Sequence, residues 1–176
     1  EEDYVHLYKT YNLPFDSIIL LASTFLQKGN YNKAISVYLS LLEIVTDRVK
    51  KEELLELLGT TYFKSGFMQR SRDIFLRILK FSPRNKKALH HLLIINEKLK
   101  EYEKAKEVIE CLDEIGEDTK KDKVFIETLS IINDPLESFE KKGEKLYKIF
   151  KENNEVQRLV ANFFLRYNKE FFWKHL

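Results

Sequence analysis

The chain has 176 residues, 44% of them hydrophobic and 33% charged, which is enough apolar material for one substantial core or a short array of repeated units. Five Gly and three Pro are too few for a β-sandwich, a single Cys excludes a disulfide framework or a multi-cysteine zinc site, and 30 Lys+Arg against 28 Asp+Glu give a net charge of +2 without a basic stripe. The longest uncharged apolar stretch, residues 17–25, is half of the ~18 residues that a membrane span requires.

Residues 1–14 place Tyr4, Leu7 and Tyr8 on one helical face, and Pro14 follows as a terminator. These three sit 34 positions before Tyr38, Leu41 and Leu42. That is the register of a second helix whose own first helix lies upstream. The chain opens on Glu1, not Met, and reads as a segment from the middle of a longer array.

Three units follow, over 15–48, 52–85 and 86–118. Leu21, Ala22, Phe25, Gly29, Tyr31, Ala34, Tyr38, Leu41 and Leu42 return after a shift of 37 as Leu58, Gly59, Tyr62, Gly66, Met68, Ser71, Phe75, Ile78 and Leu79. A further shift of 34 gives Leu92, Leu93, Asn96, Lys100, Tyr102, Ala105, Ile109, Leu112 and Asp113. Each unit is predicted to be two antiparallel helices. The i, i+3/i+4 pattern of Ile18, Leu21, Phe25 and Leu26, and of Leu54, Leu55, Leu58, Tyr62 and Phe63, marks the first helix. Gly29 and Gly66 end it by supplying a left-handed conformation. The second helices are predicted over 31–45, 68–81 and 102–115, with Pro83 just beyond the middle one. Ala34, Ser71 and Ala105 are the small residues that let paired helices approach.

Residues 119–152 read as a degenerate fourth unit. Its first helix carries Val124, Phe125, Leu129 and Ile132, its turn is Asn133, Asp134 and Pro135, and its second helix carries Leu136, Phe139, Gly143, Leu146, Tyr147 and Ile149. In 153–176, a helix over 155–167 places Leu159, Val160, Phe163 and Phe164 on one face, as a cap or half of a further unit. Phe171, Phe172 and Trp173 read as the packing surface for a next helix. The pattern resembles the tetratricopeptide (TPR) repeat, with Asn96 and Lys100 departing from its signature. The expected fold is therefore all-α, an α-solenoid of stacked antiparallel helix pairs in a TPR superhelix.

Catalytic patterns are absent. The chain contains no P-loop, dinucleotide-binding, zincin or nucleophile-elbow motif, so it is not expected to be an enzyme, to use a cofactor or to hold a metal. Adjacent His90 and His91 point about 100° apart on a helix and cannot grip one ion as an i, i+4 pair would. Cys111 has no base near it in sequence. Residues opposite the packing positions of the first helices are Ile19, Ser23, Leu26, Glu56, Thr60, Phe63, His90, Ile94 and Glu97, and these are the candidate partner-binding groove. Leu26, Phe63 and Ile94 make an apolar ladder there, with Glu56 and Glu97 favouring a basic residue beside it. Receptors of this architecture that hold a C-terminal carboxylate use Lys and Asn at positions matched here by Ile19, Ser23, Leu57, Lys87 and His91. Only Lys87 is a fixed cation, so the groove suits an amphipathic helix or extended peptide.

From Ile18 to Leu112 the runs LQKGNYNKAISVYLSLLE, LLELLGTTYFKSGFMQRSRDIFLRIL and ALHHLLIINEKLKEYEKAKEVIECL resemble consecutive repeats of the bacterial lipopolysaccharide assembly protein B family. That resemblance implies a cytoplasmic repeat array tethered to the inner membrane by an N-terminal helix outside this sequence, regulating lipopolysaccharide synthesis by presenting an enzyme to a membrane protease. The family's four-cysteine metal domain is not in this sequence. The function expected is thus a non-catalytic protein–protein scaffold or adaptor, with membrane contact only through regions outside this chain and self-association through its apolar ends. The alternative is a structural component of a large bacterial assembly, such as a secretion or flagellar apparatus. A third class, a helical-repeat nucleic-acid binder, would need recurring Arg, Lys and polar groove positions where Ile19, Glu56 and Ile94 stand, so no nucleic acid is expected.

Overall fold

A computed structural model of the chain describes Thr10 and residues 14–167. The predicted positions Tyr4, Leu7, Tyr8, Phe171, Phe172 and Trp173 lie outside the described residues. Among those residues the structure is all-α. Nine α-helices occur in order: α1 (Phe15–Gln27), α2 (Tyr31–Ile44), α3 (Arg48–Lys64), α4 (Met68–Phe81), α5 (Lys86–Lys98), α6 (Tyr102–Glu114), α7 (Lys120–Asn133), α8 (Phe139–Glu152) and α9 (Gln157–Tyr167). A single 3₁₀ turn, Asn154–Val156, precedes α9 and occupies the start of the helix expected over 155–167.

The same corner joins α1 to α2, α3 to α4 and α5 to α6. Gly29, Gly66 and Lys100 adopt positive φ of 71°, 85° and 59°. The next residue's N–H reaches back to the carbonyl five positions earlier in each case: Asn30 to Phe25 at 2.8 Å, Phe67 to Tyr62 at 2.9 Å, Glu101 to Asn96 at 2.8 Å. This is the hydrogen-bond pattern of a Schellman cap. Asn30, Phe67 and Glu101 then take nearly identical backbone angles, φ −87°, −79° and −89° with ψ 69°, 65° and 66°. Three unlike side chains make one turn because the geometry comes from the backbone. The second helices therefore begin at the predicted Tyr31, Met68 and Tyr102.

The chain divides into two compact units, one ending at Ile95 and the other beginning at Asn96. In the first unit Phe15, Ile18 and Ala22 of α1 share a core with Ala34, Ile35, Val37, Tyr38 and Leu41 of α2 and Leu54, Leu58 and Tyr62 of α3. Side chains of Asn30, Asp47 and Asn85 cap α2, α3 and α5 by accepting from the N–H groups of Lys33, Lys50 and Ala88. The expected close-approach residues Ala34, Ser71 and Ala105 are all fully buried. The first helix contributes too: in α3, a Cβ built on Gly59 would lie 2.9 Å from the Phe75 ring of α4.

In the second unit a buried cluster joins Leu146 of α8 with Val156 and with Val160, Phe163 and Phe164 of α9. The Phe139 and Phe163 rings stack at 5.2 Å. Phe139 occupies the register of Ala105, and the small buried residue of α8 is instead Gly143, one turn later. Phe125 of α7 is 37% exposed, whereas Ile126 and Thr128 are buried.

Candidate functional site

The first unit carries a recess of about 400 Å³. Leu26 of α1, Leu57 of α3 and the ring of His91 of α5 supply its apolar surface, and the fully buried Phe75 ring of α4 backs it from beneath. Glu53, Glu56, Thr60, Thr61 and Lys64 of α3 and Lys87 of α5 bring the polar groups. The α3 positions recur every three or four residues, so one face of that helix forms a wall. Phe75 belongs to a second helix, and its ring packs directly behind this surface because Gly59 has no side chain to hold it away from α3.

The start of α5 is pinned against α3 by a compact polar network. Ser82 Oγ donates to Glu52 Oε2 at 2.6 Å, and Asn85 Nδ2 lies 2.7 Å from Glu52 Oε1 and 3.0 Å from Glu56 Oε1. Lys87 Nζ donates to the other Glu56 oxygen at 3.1 Å, and the Arg48 guanidinium donates to the Phe81 carbonyl. Hydrogen bonds from Ser82 and Asn85 hold the Glu52 carboxyl below its ordinary range, against a smaller opposing effect of burial. Both oxygens of Glu56 are thus engaged within the chain. The cation at the carboxylate-clamp register, Lys87, is spent on that ion pair.

His91 is fixed by aromatic contacts and one polar contact. Its ring stacks on Phe75 at 4.4 Å and meets Phe63 edge-on at 6.4 Å. Its Nδ1 lies 2.8 Å from the Lys87 carbonyl oxygen. A carbonyl only accepts, so Nδ1 carries a proton and donates this bond.

Of the nine sequence-derived groove residues the recess brings together Leu26, Glu56 and Thr60. Ile19 is half-buried against the first-unit core, and its carbonyl accepts from Ser23 Oγ at 3.0 Å. Phe63 is half-buried beside His91. His90 and Ile94 are exposed and do not line the recess. Glu97 falls in the second unit, where its carbonyl accepts from the Lys100 N–H at 2.9 Å. Sequence reasoning left out Glu53, Thr61, Lys64 and Phe75, and it assigned Leu57, Lys87 and His91 to a different binding mode. The i, i+4 pair Lys87 and His91, in register with Glu53 and Leu57, was the available signal. Among the described residues no three His, Cys, Asp or Glu side chains are grouped to hold a metal ion, and no helix is long and apolar enough to cross a membrane. Cys111 is exposed.

A family model of the tetratricopeptide repeat matches residues 15–44, the α1–α2 pair. Among solved structures the chain is similar to MamA 41-end from Desulfovibrio magneticus RS-1, at 19% identity and TM-score 0.60, covering 98% of this chain and 93% of that one. It is similar in the same way to the MamA RS-1 ArsTM double mutant, at 18% identity and TM-score 0.60, covering 98% and 90%. No curated protein matches the chain in sequence. At this identity the likeness carries the fold: an all-α helical repeat of the solenoid type.

Proposed function

We propose that the chain is a non-catalytic protein-binding scaffold that seats a segment of a partner protein in the recess of its first unit. One observation supports this most directly: Leu26, Leu57 and the His91 ring form an apolar surface, backed by the buried Phe75 ring and bordered by Glu53, Glu56, Lys64 and Lys87. A few polar groups around an apolar concavity is the usual composition of a binding site. Two acids against two cations give no net field to draw nucleic acid. A tethered role in regulating lipopolysaccharide synthesis rests on the residues quoted from Ile18 to Leu112, and no comparison adds to it.

The test is to pan a random peptide library displayed on phage against the intact chain, and then against Thr60→Arg, which fills the recess. Ser36→Arg, on the exposed side of α2, is the control. Peptides that bind the native chain and the control but not Thr60→Arg, with all three melting alike, are the expected result. Binding indifferent to Thr60→Arg would remove the recess as the working surface.

A further inference from the structure

The charges at the recess are not equally available, and their positions specify the segment that fits. This rests on the reading of the recess as a partner site. Glu56 and Lys87 satisfy each other at 3.1 Å, with the remaining Glu56 oxygen held by Asn85. Glu53 and Lys64 are exposed, and neither makes an ion pair or a side-chain hydrogen bond. They stand on the same α3 face, from position 53 to position 64, so eleven residues of helix separate them. At the helical rise that is about 16 Å. Between them lie Leu57 and Thr60, with Leu26 and the His91 ring completing the apolar surface.

We infer that the segment seated here carries one basic and one acidic side chain on opposite sides of an apolar anchor, the base beside Glu53 and the acid beside Lys64. The anchor displaces water from Leu26, Leu57 and the half-buried His91 ring and supplies most of the affinity. The two flanking pairs are solvent-exposed, so each contributes only a factor of about two to five. Their larger effect is on orientation: a segment laid in backwards brings like charges together at both ends. Lys64 also sits in the last turn of α3, where a cation suits the carbonyl end of the helix dipole. Glu53, in the second turn, has no such local reason for its sign.

Panning the same peptide library against the native chain, Glu53→Lys and Lys64→Glu distinguishes these readings, with Thr60→Arg again marking peptides seated in the recess. Native-selected peptides should carry a base and an acid flanking an apolar residue, about eleven positions apart if helical and about five if extended. Lys64→Glu should select bases on both sides, and Glu53→Lys acids on both sides. A native-selected peptide should bind each reversed chain about two- to fivefold more weakly. The neutral variants Glu53→Gln and Lys64→Gln, which spare the helix, should lose the preference at their own end. Recess-bound peptides with the same charge content on every chain would overturn the inference and leave the proposed function standing. No peptide sensitive to Thr60→Arg would overturn both.

Discussion

The hydroxyl of Ser71 donates a buried 2.8 Å hydrogen bond to the carbonyl oxygen of Gly59, across the interface of α3 and α4. Helices can bring a side chain of that length to a neighbouring backbone only when both contact positions are small. Here one has no side chain, and the ring of Phe75 occupies the space. Replacing Gly59 with Ala should gain about 1 kcal/mol of helix propensity and still lower stability. The added Cβ would meet a ring that is fully buried and has no room to retreat. The expected net loss is about 1–2 kcal/mol, read as a lower melting temperature. Ser36→Ala, on the exposed side of α2, should be near neutral. A Gly59→Ala protein as stable as the native one would show that the pair does not pack this closely.

Lys100 occupies the position of Gly29 and Gly66 and adopts φ of 59°, the one non-glycine residue at positive φ among those described. A Cβ is strained in that region. Lys100→Gly should therefore raise stability by about 0.5–1 kcal/mol even though it loosens the unfolded chain. Gly66→Ala, the reverse exchange in an otherwise equal turn, should lower it by a similar amount. Paired thermal melts check both signs, and a destabilised Lys100→Gly would show that the Lys side chain contributes more than its backbone costs.

Tyr38 is fully buried, and its hydroxyl has no hydrogen-bond partner. Burial pushes its pKa up, as desolvation of a phenol should. The equivalent positions in the next two units are Phe75 and Ile109, both apolar and buried. Removing the hydroxyl with Tyr38→Phe deletes an unsatisfied polar group while keeping the ring. The expected change is a gain of about 1 kcal/mol, measured by denaturant midpoint at unchanged slope. A loss would mean that the hydroxyl is satisfied in solution.

How far the sequence reaches is clear from these positions. Helix starts at Tyr31, Met68 and Tyr102 were legible because small and large residues recur in register, and a Schellman corner needs little beyond a residue able to enter positive φ. Lys100 breaks that residue rule and keeps the geometry. The corner's backbone hydrogen bonds outweigh the strain of one Cβ. Gly59 was legible as a repeat position, but its packing consequence was not: that Phe75 would back the recess from a second helix is a fact of three dimensions. The recess lies along Lys87 and His91 of α5, whereas helical phase pointed to His90 and Ile94. One residue of phase is about 100° on a helix, and it decides which histidine lines a surface. Glu56 was expected to await a basic partner residue. The chain itself satisfies it with Asn85 and Lys87, 29 and 31 residues away in sequence and so beyond any local pattern.

Glu52 links the acid range to the architecture of the recess. Its carboxyl receives Ser82 and Asn85, the residues that bring the chain from α4 into α5. Those hydrogen bonds favour the ionised form and lower its folded-state pKa below the ordinary 4.5. For a lowered carboxyl the stabilisation is fully present above the unfolded-state pKa and is lost as pH falls through the folded-state value. The native chain should therefore exceed Glu52→Gln in melting temperature at neutral pH. That advantage should hold down to about pH 5 and shrink below the ordinary carboxylate range, as the native carboxyl takes up its proton. A second readout separates this from general acid denaturation. Asn85 caps α5 through the Ala88 N–H and also contacts Glu56, so release of Glu52 should raise amide exchange at the start of α5 before it does so in α1 or α2. An advantage over Glu52→Gln that persists unchanged through the acid limb would show that the bonds do not depend on the charge. Exchange rising uniformly across the first unit would show that this corner has no separate stability to lose.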